Sequence, residues 1–203
     1  MVNTKPRPFL KWVGGKRQIL NELRKYVPEK WNTYYEPFLG GGAFFFDLIP
    51  QNAILGDINP ELILVYRTVQ NSVEKLVKEL KNYPYEKRYY YNIRDANTNR
   101  WGDIRKTARF IYLNKSCYNG LYRVNKDGKF NVPFGRYKNP LICDEENLKL
   151  ASSALKNARI ICGDFCKTVR SAKANDFVYF DPPYEPISKS SNFVSYHRTG
   201  FGH

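Results

Sequence analysis

The stretch Thr33-Tyr34-Tyr35-Glu36-Pro37-Phe38-Leu39-Gly40-Gly41-Gly42, continued by Ala43 to Leu48 and by Ala53-Ile54-Leu55-Gly56-Asp57-Ile58-Asn59-Pro60, decides the fold. Thr33 to Phe38 reads as a strand entering a glycine loop, and Ala43 to Leu48 as a helix following directly. Ala53 to Gly56 is a short apolar strand ending at Asp57. Asn59 then caps a helix with Pro60 at its first position and Leu62, Ile63, Tyr66 and Val69 on its inner face. Upstream, Ile19, Leu20, Leu23 and Val27 fall at helical spacing. Downstream, a helix is expected over 145–155, a strand from Ala158 to Cys162 ending in Gly163-Asp164, and a strand from Phe177 to Phe180 ending at Asp181. Alternating helices and apolar strands predict an α/β fold with a parallel sheet covered by helices.

The chain has 203 residues, enough for one domain with an insertion, and a formal charge of +14. Apolar residues at 42% and charged residues at 26% exclude disorder as a whole description. The charge points to a polyanionic partner or an anionic membrane surface. The membrane reading weakens because no run of about 18 apolar residues exists and the N-terminus lacks a signal peptide's apolar stretch, so a cytoplasmic protein is expected. Cys117, Cys143, Cys162 and Cys166 are scattered and read as free, mostly buried thiols. His197 and His203 are the two histidines, so neither a metal site nor a Ser-His-Asp triad is expected.

Residues 81–140 hold 14 lysines and arginines against 4 acids, most of the surplus charge, together with nine of the sixteen tyrosines. Cations interleaved with rings suit a nucleic acid, whose phosphates meet the charges and whose bases stack. The plainer alternative is a solvated basic surface over a tyrosine core. Within the window Ile104, Ala108, Ile111 and Tyr112 suggest a helix, and Leu121 to Val132, centred on Asp127-Gly128, a β-hairpin. The window reads as an insertion, 76–143, between two halves of one sheet domain, residues 1–75 and 144–203.

Strand ends carry the candidate chemistry, because ligands of open α/β sheets bind beyond the carboxyl ends of the strands. The Glu36 to Gly42 loop brings backbone amides and a helix start toward a ligand, and Asp57 suits ribose hydroxyls. Glycine spacing matches neither G-x-G-x-x-G nor a P-loop, which disfavours a nicotinamide or flavin enzyme. Taken alone, the loop also reads as a turn and Asp57 as a cap. At Asp181-Pro182-Pro183-Tyr184, a carboxylate, a carbonyl and a ring are fixed at one rigid corner. That corner suits a flat amine, with Asp181 and the Pro182 carbonyl accepting hydrogen bonds from it while Tyr184 stacks on its ring. In isolation the tetrapeptide is also consistent with a plain proline turn.

Five motifs occur in order: Phe9-Leu10-Lys11-Trp12-Val13-Gly14-Gly15-Lys16, Glu36 to Gly42, Gly56-Asp57-Ile58-Asn59, Gly163-Asp164-Phe165 and Asp181 to Tyr184. Together they resemble the Dam-type DNA adenine methyltransferases over nearly the whole chain. The resemblance implies a Rossmann-like sheet with an inserted, mainly helical target-recognition region bearing a hairpin. It implies S-adenosylmethionine held by Trp12, Lys16, Asp57 and Asp181, with Glu36, Pro37, Phe38, Gly40 and Gly42 around its methionine part and Asp164 and Phe165 at its adenine. It also implies double-stranded DNA as the partner and GATC as the site. Tyr118 would wedge into the base stack, Arg123 would read guanine, and Arg136 and Lys138 would touch phosphates. Asn119, Leu121, Asn131 and Pro133 belong to two segments, 118–123 and 130–138, that are similar to the family's target-recognition region. Asp181, Pro182, Pro183 and Tyr184 would be catalytic, acting on a flipped adenine without a metal.

The family's pattern continues through further strands after the tetrapeptide, whereas nineteen residues follow Tyr184 here. The expectation is therefore a sheet lacking its last strands, and the rival reading is a chain that binds DNA or cofactor without turnover. No obligate protein partner is evident, although an incomplete sheet edge invites self-association. RNA or protein-glutamine methylation shares the tetrapeptide logic but leaves the 118–138 resemblance unexplained.

Overall fold

The computed structural model describes residues 5–183. Among them, strands β1 (Tyr34–Glu36), β2 (Ala53–Asp57), β3 (Ala158–Cys162) and β4 (Phe177–Val178) form a parallel sheet in the order β3-β2-β1-β4. The helices are α1 (Leu20–Leu23), α2 (Ala43–Leu48), α3 (Pro60–Leu80), α4 (Lys87–Arg94), α5 (Asp103–Ser116), α6 (Glu145–Leu155) and α7 (Phe165–Val169). Tyr34 lies opposite both Ala53 and Phe177, Glu36 opposite Leu55, and Asp57 opposite Cys162. That register brings the carboxyl ends of β1, β2 and β3 to one edge. β2 and β3 follow on one side of β1 and β4 joins on the other, so the strand order reverses between β1 and β4. A crevice at such a switch point is where this class of sheet takes its ligands.

β1 is buried along its length, as a central parallel strand must be. Asn59 caps α3 by accepting the amides of Glu61 at 3.0 Å and Leu62 at 3.1 Å, and Pro60 occupies the first turn, where no amide is needed. The helix is kinked at Ser72 (φ −146°) and packs on β2, β3, α5 and α6. It therefore ties the sheet to the basic region. Buried Thr107 of α5 donates to Thr68 of α3 at 3.0 Å, and Arg109 caps the end of α4 through the carbonyls of Ile93 and Arg94. Two buried asparagines clamp the N-terminal segment. Asn147 pairs with the amide and carbonyl of Arg7 at 2.9 and 3.0 Å, and Asn114 with those of Lys11 at 2.8 and 2.7 Å.

Four expectations change. The helix read from Ile19 to Val27 is broken into the four residues of α1 between two 3-10 turns, and Ile19 is exposed; so short a run of α-helix has no cooperative length. The hairpin is reduced to one antiparallel bridge, Val124 with Phe130, around a turn in which the Asn125 side chain accepts the amides of Asp127 and Lys129. Only Cys117 is buried among the four cysteines, while Cys162 and Cys166, near a sheet edge, are exposed. Of the nine tyrosines in residues 81–140, Tyr118 alone is exposed; seven others pack into or against the core, with Tyr83, Tyr89 and Tyr112 in mutual ring contact and Tyr90 against Tyr112, and half-buried Tyr137 donates to the Cys117 carbonyl. Residues 184–203, including Tyr184, both histidines and the expected loss of the last strands, lie outside the described residues. No helix among the described residues is long and apolar enough to cross a membrane.

Candidate active site

A cavity of about 450 Å³ opens at the carboxyl edge beside the switch point. Trp12, Lys16, Glu36, Pro37, Phe38, Gly40, Gly42, Asp57, Asp164, Phe165, Asp181, Pro182 and Pro183 all line it. Sequence motifs up to 171 residues apart thus meet in one place, because each ends a strand or approaches its end.

The glycine loop is built by contacts that exclude side chains. Gly40 has φ +48°, and a Cβ there would stand 2.8 Å from the Trp12 ring; Gly42 has φ +64°, and a Cβ would stand 2.8 Å from the Tyr66 hydroxyl. Only glycine meets both the left-handed backbone and the space. The Tyr66 hydroxyl donates to the Gly40 carbonyl at 3.0 Å. Asp57 organises the same loop by accepting the Gly40 amide at 3.0 Å and the Asn59 amide at 2.9 Å. Each carboxylate oxygen has a second lone pair, so this structural duty is compatible with holding ligand hydroxyls.

Four carboxyl groups, Glu36, Asp57, Asp164 and Asp181, line the cavity against one cation among the described residues, Lys16. The Lys16 ammonium lies 2.7 Å from Asp181 and donates to the Gly14 carbonyl at 3.0 Å. Glu36 is 3% exposed and accepts the Tyr34 hydroxyl at 2.8 Å. Burial pushes its carboxyl up to about 8, with repulsion from Asp181 and Asp57 adding to the rise. A chain of high positive charge therefore contains a locally acidic cavity. Phe38 and Phe165 stack at 5.8 Å beside it, with Phe180 close to both. Apolar rings, hydroxyl acceptors and an acidic lining fit one ligand that combines a flat ring, a sugar and a positive charge. The Lys16–Asp181 pair adds a place for a carboxylate. Among the described residues no three His, Cys, Asp or Glu side chains gather as a metal ion requires.

The basic region brings the other expected residues together in two pairs. The Tyr118 amide donates to the Pro133 carbonyl at 2.9 Å. The Arg123 guanidinium donates to the Asn131 side chain at 2.8 Å and to its carbonyl at 3.4 Å. Tyr118, Asn119, Arg123, Asn131, Pro133, Arg136 and Lys138 are exposed, and Leu121 is half-buried. Asn119 adopts a left-handed backbone (φ 54°), which turns the chain sharply after Tyr118. Sequence reasoning missed three contributors. Asn114 clamps Lys11; its signal was an amide on the buried face of α5. Tyr66 fixes the glycine loop. Tyr122 stacks on Trp12 at 5.5 Å, which no local pattern announces.

Residues 12–203 match the family model described as D12 class N6 adenine-specific DNA methyltransferase. The chain is 47% identical over 216 residues to the type II methyltransferase M.MjaIII of Methanocaldococcus jannaschii, covering 96% of this chain and 75% of that protein. It is 46% identical over 205 residues to the type II methyltransferase M1.LlaDCHI of Lactococcus lactis subsp. cremoris, covering 97% and 72%. It is 37% identical over 201 residues to a DNA adenine methylase of Serratia marcescens, covering 97% and 74%.

Proposed function

The chain belongs to the D12 class of N6 adenine-specific DNA methyltransferases, and from that premise we propose that it moves a methyl group from S-adenosylmethionine to the exocyclic amine of adenine in GATC sites of double-stranded DNA. The observation that carries the reading is the meeting of Asp181-Pro182-Pro183 with Lys16, Asp57, Asp164 and Phe165 around one acidic cavity. When bound, S-adenosylmethionine supplies an electrophilic methyl on a cationic sulfur. Asp57 would hold its ribose, Asp164 and Phe165 its adenine, and Lys16 its carboxylate. Four carboxyl groups favour its positive charge.

The target adenine leaves the duplex and enters the corner at Asp181. The Asp181 carboxylate and the Pro182 carbonyl accept hydrogen bonds from its amine. This directs the nitrogen lone pair at the methyl and stabilises the positive charge that develops on nitrogen. Positioning supplies much of the remaining help, since the leaving group is already good. Residues 76–143 form the DNA-facing region. Arg123 reads guanine from the major groove, Tyr118 fills the vacated stack, and Arg136 and Lys138 hold phosphates.

The test is labelled-methyl transfer to a GATC duplex and to its single-base variants, beside a titration of cofactor binding. Transfer confined to GATC is expected, and Asp181→Ala should abolish it. Arg123→Ala should reduce the preference for GATC by about 1 to 3 kcal/mol, the discrimination typical of one bidentate base contact. Cofactor binding without transfer would overturn the activity, and equal transfer to every duplex would overturn the GATC assignment.

A further inference from the structure

Tyr122 lies within the target-reading segment, directly before Arg123, yet its ring packs against Trp12, which lines the cofactor cavity. It stacks on Trp12 with centroids 5.5 Å apart and planes at 26°, and on Phe110 at 5.2 Å and 29°. Trp12 also stacks on Phe110, at 6.4 Å and 19°, so the three rings form one block. The other side of Trp12 lies on the glycine loop, where a Cβ at Gly40 or Gly41 would meet it at 2.8 or 3.2 Å. The Tyr122 hydroxyl donates to Glu61 at 2.6 Å, in the first turn of α3, two residues after Asn59. One side chain therefore touches Trp12, a lining residue, and the first turn of the helix that Asn59, another lining residue, caps.

Arg123 has two alternative sets of partners. Here its guanidinium is bound to Asn131. Reading a guanine demands that the same donors turn to the base. The exchange takes place one peptide from a ring packed between Trp12 and Phe130, and packed rings shift between discrete arrangements more readily than they deform.

We propose that Tyr122 is a positioning residue that couples the cofactor cavity to target reading, so that occupancy of either site tightens binding at the other. The proposal rests on the function proposed above. Reciprocity follows from linkage: whatever factor DNA adds to cofactor affinity, cofactor adds to DNA affinity.

Calorimetric titration of the full chain with S-adenosylhomocysteine, with and without a saturating GATC duplex, measures that factor without turnover. For the parent, the duplex should tighten binding at least about fivefold, within the usual range of coupling between sites. Tyr122→Leu keeps the bulk but removes the stackable ring, and should bring the factor below about twofold while each ligand alone binds within about threefold of the parent. Tyr122→Met is a second ringless variant of similar reach. Tyr122→Phe keeps the ring and should retain most of the coupling. A ringless variant with the parent's coupling factor would overturn the proposal, as would loss in Tyr122→Phe equal to that in Tyr122→Leu. A parent that binds both ligands without coupling overturns it while leaving the methyltransferase reading intact. A parent that binds no S-adenosylhomocysteine overturns both.

Discussion

Glu36 offers a direct test of how the cavity is held. Its carboxyl, near 4.5 in an unfolded chain, is raised by burial to about 8 in the folded protein. Below pH 4.5 both states are protonated, and the stability contributed by the neutral group is fully present. Between 4.5 and 8 the folded chain keeps a proton that the unfolded chain has lost, so stability falls as pH rises. At about 1.4 kcal/mol per pH unit, the loss from pH 5 to pH 7 is on the order of 3 kcal/mol, and it levels off above about pH 8. The groups facing Glu36 are the Tyr34 hydroxyl on β1, Asp57 at the end of β2, Asp181 beyond β4, and the Phe45 amide of α2. Glu36→Gln removes the titration and leaves the others in place. Urea unfolding of the ligand-free parent and the Gln variant from pH 5 to 9 should give a stability difference that grows in favour of the variant up to pH 8, then stays flat. A difference curve with no slope between pH 5 and 8 would refute the buried neutral carboxyl. Cofactor charge should reverse the preference, drawing off close to one proton per cofactor bound at pH 7. Binding heats measured in two buffers of unlike ionisation enthalpy would reveal that release.

Lys16→Met should weaken S-adenosylmethionine by about 10- to 100-fold, the effect of losing one charge-assisted contact, and should leave the affinity for methylthioadenosine, which lacks the carboxylate, nearly unchanged. Equal losses for both compounds would show that Lys16 meets no carboxylate. Asn114→Leu strands the amide and carbonyl of Lys11, and should cost about 2 to 6 kcal/mol in urea unfolding, at 1 to 3 kcal/mol for each buried polar group left unpaired. Amide exchange around residues 9–13 should quicken, and unaltered protection there would contradict the clamp. Raising salt from 50 to 200 mM should weaken duplex binding by about 100-fold or more if four or five of the exposed cations meet phosphates. Cofactor affinity, governed by a lined cavity, should change far less, and parallel salt slopes for the two ligands would contradict the division of charge.

The strands and caps legible in the sequence are those whose causes are local. Asn59-Pro60 states a helix start in two residues, Ala53 to Asp57 is short and apolar, and α6 has both an acidic start and a regular apolar face. The convergence of Glu36, Asp57, Asp164 and Asp181 was legible because parallel strands must deliver their carboxyl ends to one edge. Tyrosine is ambiguous by nature, with an apolar body and a polar tip, so a basic, tyrosine-rich window does not say which rings face solvent. In the structure Tyr90 hides its ring and satisfies its hydroxyl at the Val132 carbonyl. α4 escaped notice because among Lys87 to Arg94 only Tyr90 and Ile93 are buried, too few to make a stripe. The Asn114 clamp and the Trp12–Tyr122 stack join residues over a hundred positions apart. No spacing rule reaches that far.

The distribution of charge fits the chemistry proposed at Asp181. A corner that accepts hydrogen bonds from an amine must present oxygen, and a cavity for a cationic donor gains from further carboxyl groups. Four such groups near a sheet edge repel the phosphates of the polymer whose base must enter. The conflict is resolved by separation in space and in range. Exposed cations of the basic region act over a Debye length of about 8 Å at physiological salt, where the phosphates of the proposed duplex would lie. The carboxyl groups act at contact distance inside a lined cavity, where an uncharged base can enter and a phosphate cannot follow without a large penalty. Glu36, neutral when buried, and Asp181, paired with Lys16, soften the repulsion among the acids in the folded chain. A cation bound in the cavity would favour release of the Glu36 proton, so the cavity holds part of its acidity in reserve.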